Sequence, residues 1–150
     1  MGDTDEHIER SARDSTPELF DNGMIAFRPR VEWKRAQEAI GKADVLLIFQ
    51  GHHPTAIPAK FYEYMLSGKP IVAIAGRGAL RDIILQTGSG FVANPDDEAE
   101  IGSVLELALQ AEPRQPDEIR RLAAQFDFRN LTAKLAKGIR DVLKMSELCS

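Results

Sequence analysis

The sequence predicts an α/β fold: a mainly parallel sheet of about four strands in three layers, with helices on both faces and further helices at the C-terminal end. Three observations carry that expectation. From Met24 onward, apolar runs of strand length alternate with helix-length amphipathic stretches in the order β-α-β-α-β-α-β-α. The run I-V-A-I-A has no polar alternation, as expected for a strand covered on both faces, and D-V-L-L-I-F reads as an equally buried strand. Short turn-rich segments separate these runs, and a right-handed crossover between parallel strands puts every strand-to-helix loop on one edge of the sheet.

Each element has its own local reason. Residues 1–22 carry seven acids (Asp3, Asp5, Glu6, Glu9, Asp14, Glu18, Asp21) against Arg10 and Arg13, which is −5 in a chain whose net charge is −4. That stretch reads as an acidic arm, frayed or disordered, with a short helix after Thr16-Pro17. Residues 23–150 read as a single domain. M-I-A-F at 24–27 is expected to be its first strand, and a helix over 32–41 would put Trp33, Ala36, Ala39 and Ile40 on one face. The strands at 45–49 and 71–75 flank a helix starting near Pro58. A helix over 79–86 leads to the short strand F-V-A. Asn94-Pro95-Asp96-Asp97 is a turn and capping segment before a helix burying Ile101, Val104, Leu105, Ala108 and Leu109. Two more helices, over 117–125 and 130–148, follow the break E-P-R-Q-P-D.

Composition excludes several classes. With 150 residues, 43% hydrophobic and 28% charged, the chain suits one soluble domain that buries roughly two-thirds of its extended surface. A net charge of −4 argues against nucleic-acid binding by bulk electrostatics. No apolar run reaches the length of a membrane span, and the acidic start is unlike a signal peptide. The single Cys149 rules out an intrachain disulfide. A cytoplasmic setting fits these features.

The stretch 57–75 concentrates the chemistry. Phe61 with Met65 and Tyr62 with Leu66 are adjacent i, i+4 pairs and form an apolar stripe. Lys60, Glu63 and Ser67 form a polar one. Pro58 suits the first helical position, and Gly68 suits a left-handed helix end. Lys60 lies in the first turn, where the helix dipole disfavours a cation by about 0.3–1 kcal/mol. Either an anion binds there, facing both the ammonium and free N–H groups, or Lys60 is a solvated side chain paired with Glu63.

The run K-F-Y-E-Y-M-L-S-G-K-P-I-V-A resembles the C-terminal nucleotide-sugar domain of GT-B glycosyltransferases, family 4-like, whose pattern is approximately K-x-x-E-[YA]-x-[AS]-x-G-[KR]-P-[IV]-[VL]-A. The resemblance covers about 24–109 and implies a Rossmann-like half-domain that binds a nucleoside-diphosphate-sugar. It implies a ribose-binding Glu, here Glu63, and a helix start near the diphosphate, here with Lys60. The fuller E-x7-E motif would place its first Glu where this chain has Thr55, which cannot supply that acceptor, so the resemblance gives no donor-sugar contact there. The loop matching 28–32, with Arg30 and Val31, would lie along the nucleobase; exposed arginines are the plain reading. No cofactor or metal is implied beyond the donor itself. The acceptor-side domain, which usually contributes the catalytic base, has no counterpart here, and the strands that open the family's sheet would be missing. A separate N-terminal domain or a second copy would have to complete an active site, and the catalytic residues remain unassigned. The alternative is a non-catalytic binding or interaction domain that keeps the fold.

Three further candidates fall on the expected ligand edge. His52 and His53 could hydrogen-bond phosphate or sugar, or be solvent-exposed; adjacent histidines point apart and make a poor metal pair. Gly76-Arg77-Gly78 resembles half of a phosphate-cradling turn but lacks the rest of the fingerprint, and glycines alone also serve tight turns. Ser67, Ser89 and Cys149 have no base suggested by spacing, and no Asp ends a strand as a phosphoacceptor would require.

Overall fold

The structure, a computed structural model, describes residues 6–148. Cys149, and Asp3 and Asp5 of the acidic stretch, lie outside them. The chain divides into two compact units, one ending at Lys42 and the other beginning at Ala43.

In the first unit the acidic stretch is helical. Helix α1 (Glu6–Ser15) has Glu6 and Glu9 in its first turn and Arg13 in its last, the arrangement the helix dipole favours. Arg13 also bridges Glu9 at 2.9 Å. Helix α2 (Pro17–Asp21) starts on Pro17, as expected. The strand expected at 24–27 is not formed; no regular structure runs from 26 to 32. Local partners explain this. The Ile25 N–H donates to the Leu19 carbonyl at 2.9 Å and the Met24 N–H to Asn22 Oδ1 at 3.2 Å. Phe27 stacks on Phe20 at 5.8 Å between centroids, and the Arg13 guanidinium covers the same Phe20 ring. The segment thus turns back on α2 instead of offering its donors to a sheet. Arg30 and Val31, expected at the end of that strand, lie in this irregular stretch. Helix α3 (Trp33–Lys42) half-buries Ala36, Ala39 and Ile40. Trp33, expected on the same face, is 72% exposed.

The second unit is α/β. Its elements are β1 (Leu46–Gly51), α4 (Ala59–Ser67), β2 (Ile71–Ala75), α5 (Ala79–Thr87), β3 (Phe91–Ala93), α6 (Glu98–Gln110), α7 (Pro116–Gln125) and α8 (Phe128–Leu148). The strands form a parallel sheet in the order β1-β2-β3, with Leu46 beside Ile71 and Val72 beside Phe91. This arrangement is consistent with a Rossmann-like fold. Ile71, Ala73 and Ala75 point to one face, where Phe61 and Met65 of α4, Leu80 and Ile84 of α5 and Leu122 of α7 close the core. Val72 and Ala93 alternate to the other face. There α6 packs over β2 and β3 and buries Ala108.

The central strand β2 is covered on both sides, as its sequence predicts. Strand β1 is not: Leu46 and Ile48 are buried, whereas Leu47 is 39% and Phe49 73% exposed. The reason is reach, since α6 packs mainly over β2 and β3. Among the described residues β1 pairs with β2 alone, so its other edge is open.

Helix α4 ends where its sequence says. Gly68 has φ 72°, and a Cβ there would stand 2.6 Å from Ile119 Cδ1. Its carbonyl accepts the Arg114 N–H at 2.8 Å, tying the segment before α7 to the end of α4. Among the described residues no helix is long and apolar enough to cross a membrane.

Candidate functional site

The three strand-to-helix loops of the second unit leave the same edge of the sheet, and hydrogen bonds stitch them together. Gly51, φ 56°, ends β1 after a register shift beyond Phe49. Its carbonyl accepts the Gly76 N–H at 2.8 Å. Three residues on, the Pro54 carbonyl accepts the Ala79 N–H at 2.7 Å. Gln50 Nε2 donates to the Ala56 carbonyl at 3.2 Å, which holds 51–56 in a closed loop. The third loop joins through Asp96, whose Oδ1 lies 3.3 Å from His52 Nε2, a hydrogen bond in the tautomer protonated at Nε2. A Cβ on Gly76 would stand 3.1 Å from His52 Nδ1, so that ring covers the turn after β2.

Gly78 makes the tightest of these approaches. Its φ of 151° lies outside the range that side chains favour, and a Cβ there would stand 2.5 Å from the Pro54 carbonyl oxygen. Glycine is required at this position by close backbone packing. Two amides of the Gly76-Arg77-Gly78 turn region, those of Gly76 and Ala79, are already bonded to the β1 loop. The turn therefore offers an anion fewer donors than its sequence suggests. Arg77 is exposed beside it.

The start of α4 is different. Pro58 is the residue before the helix, with φ −61° and ψ 138°, one position earlier than expected. No side chain caps this end, and the Phe61 N–H reaches back to the Pro58 carbonyl at 2.9 Å. Lys60 and Glu63 are exposed on the helix, and His53 and Thr55 are exposed on the loop that precedes it. Next to Glu63, the Tyr64 phenol is pushed above its ordinary value, mainly by burial and further by the Glu63 charge.

The serines have structural duties. Ser67 Oγ donates to the Tyr64 carbonyl at 2.6 Å and accepts the Lys69 N–H at 3.2 Å, closing the end of α4. Ser89, buried, shares a hydrogen bond with Thr87 Oγ1 at 2.8 Å. Among the described residues no group of three or more His, Cys, Asp or Glu side chains gathers as a metal site would need.

The structure thus joins His52 to the Gly76–Gly78 turn and sets Lys60 and Glu63 on the helix that the β1 loop starts. Arg30 and Val31 belong to the first unit. Pattern reading missed Asp96 and Pro54 as partners in the stitching. Asp96 carried a turn signal and Pro54 a loop signal, and neither announces a contact with a distant loop. Comparison with protein-family models, with curated proteins and with solved structures finds no match.

Proposed function

We propose that the chain is the donor-binding part of a family 4-like glycosyltransferase, a GT-B C-terminal half-domain that holds a nucleoside-diphosphate-sugar. The observation that supports this reading is the position of the K-x-x-E helix: α4, with Lys60 and Glu63 exposed, departs from the C-terminal edge of a parallel sheet. Ligands of open α/β sheets bind at that edge. On this reading Glu63 accepts from the ribose hydroxyls in charge-assisted bonds. Lys60 and the N–H groups at the start of α4 face the diphosphate. Arg77, His52 and His53 border the same edge and contact phosphate or sugar, while Thr55 leaves the family's acidic sugar contact unmade. In a complete enzyme such positive groups stabilise the departing diphosphate, further strands continue the sheet beyond β1, and a separate domain presents the acceptor and its base.

Titration calorimetry of the chain with nucleoside diphosphates and with the matching nucleosides tests the assignment. Glu63→Gln should weaken both ligands by about 1–3 kcal/mol, the scale of a hydrogen bond to a charged group. Lys60→Ala should weaken the diphosphate far more than the nucleoside. Unchanged affinity in folded variants, or equal losses for both ligands in Lys60→Ala, would remove the reading. A non-catalytic interaction domain is the second reading, favoured by the exposed Leu47 and Phe49. It predicts no binding of any nucleoside diphosphate.

A further inference from the structure

Helix α8 is the longest element of the chain, and its apolar side faces outward. Leu131, Leu135, Ile139 and Val142 recur at helical spacing, with Leu143 beside them, and their exposures run from 44% to 66%. The stripe begins at a second apolar surface: Leu131 lines a groove of about 400 Å³ with Tyr62, Met65, Leu66, Ala123 and Phe126. From there it continues along the helix into solvent.

The polar side of α8 says what kind of surface matches it. The helix carries five basic residues against the two acids Asp141 and Glu147, in a chain whose net charge is −4. On the helical spacing Arg129 and Arg140 border the stripe on one side and Lys134 on the other, with Lys137 behind. With five basic residues against two acids on each helix, two copies of α8 packed stripe to stripe would carry net positive charge on both sides of the contact, which disfavours self-pairing. Between Leu131 and Leu143 the stripe is aliphatic. A helix of this kind, apolar below and cationic on the polar face, suits the plane of an anionic bilayer. We infer that α8 is a membrane-surface helix: it lies on an anionic lipid leaflet with Leu135, Ile139 and Val142 inserted and Arg129, Lys134 and Arg140 at the phosphate level. The helix lies on the surface and does not span it. The inference is independent of the nucleotide-sugar reading.

The test is co-sedimentation of the whole chain with phosphatidylcholine vesicles and with vesicles of phosphatidylcholine and phosphatidylglycerol. The chain should pellet with the anionic vesicles, remain in solution with the neutral ones, and be released by salt as screening increases. Leu135→Glu and Ile139→Glu should each lower partitioning at least about tenfold, and the double variant Lys134→Glu with Arg140→Glu should do the same. All four positions are exposed, so helix content by circular dichroism should match the parent. Failure to pellet with anionic vesicles, equal pelleting with neutral ones, or undiminished binding of the variants would overturn the inference. A mass above monomer that Leu135→Glu reduces would also overturn it, assigning the stripe to a second copy.

Discussion

Tyr64 and Glu63 are neighbours on α4, and that adjacency has a consequence for stability. Burial first, and the Glu63 charge second, hold the Tyr64 phenol above its ordinary value of 10.0. A group whose folded-state value is raised contributes stability that is fully present below the unfolded value. That stability is lost as pH rises through the folded value. Denaturation midpoints should therefore fall as pH climbs past about 10, and Tyr64→Phe should flatten that part of the profile. Glu63→Gln should flatten it less, because the charge is the smaller cause. An unchanged slope in Tyr64→Phe would assign the alkaline loss to other groups.

Among elements, the decisive contact is the one between the loop after β1 and the start of α5. Gly78 lets the Pro54 carbonyl reach the Ala79 N–H, in a backbone conformation that side chains avoid. Gly78→Ala should cost about 1–3 kcal/mol by the usual scale for such strain, read as a shift of the denaturant midpoint. The same variant would push the 51–56 loop away from the sheet edge. Nucleoside-diphosphate affinity should then fall further than the stability loss alone explains, if α4 starts the donor site. A variant as stable as the parent would show that this loop yields without cost.

For the molecule as a whole, the open edge of β1 matters most. Leu46–Gly51 contains no charged residue and no proline, the devices that usually guard an edge strand. Exposed Leu47 and Phe49 add apolar surface on one face. The chain should associate with itself as concentration rises, and light scattering should show the mass exceeding that of a monomer. Phe49→Lys should lower that mass at equal concentration. A monomer at every concentration would mean that the edge is protected.

Much of this architecture was legible in the residues alone, because short-range rules govern it. The alternating elements from β1 to α8, the glycine stop of α4 at Gly68, the two-sided burial of β2 and the Asp97 cap of α6 each depend on spacing or on one residue's conformational preference. What failed depended on partners that spacing does not reveal. Met24 and Ile25 bond back toward α2, and Phe27 stacks on Phe20, instead of forming a strand. Phe49 reads as core and is exposed, because burial is set by whether a helix reaches across the strand. The K-x-x-E helix and its loop were visible as a pattern. The His52–Asp96 and Pro54–Ala79 links were not, since only the tertiary structure brings those loops within hydrogen-bonding distance.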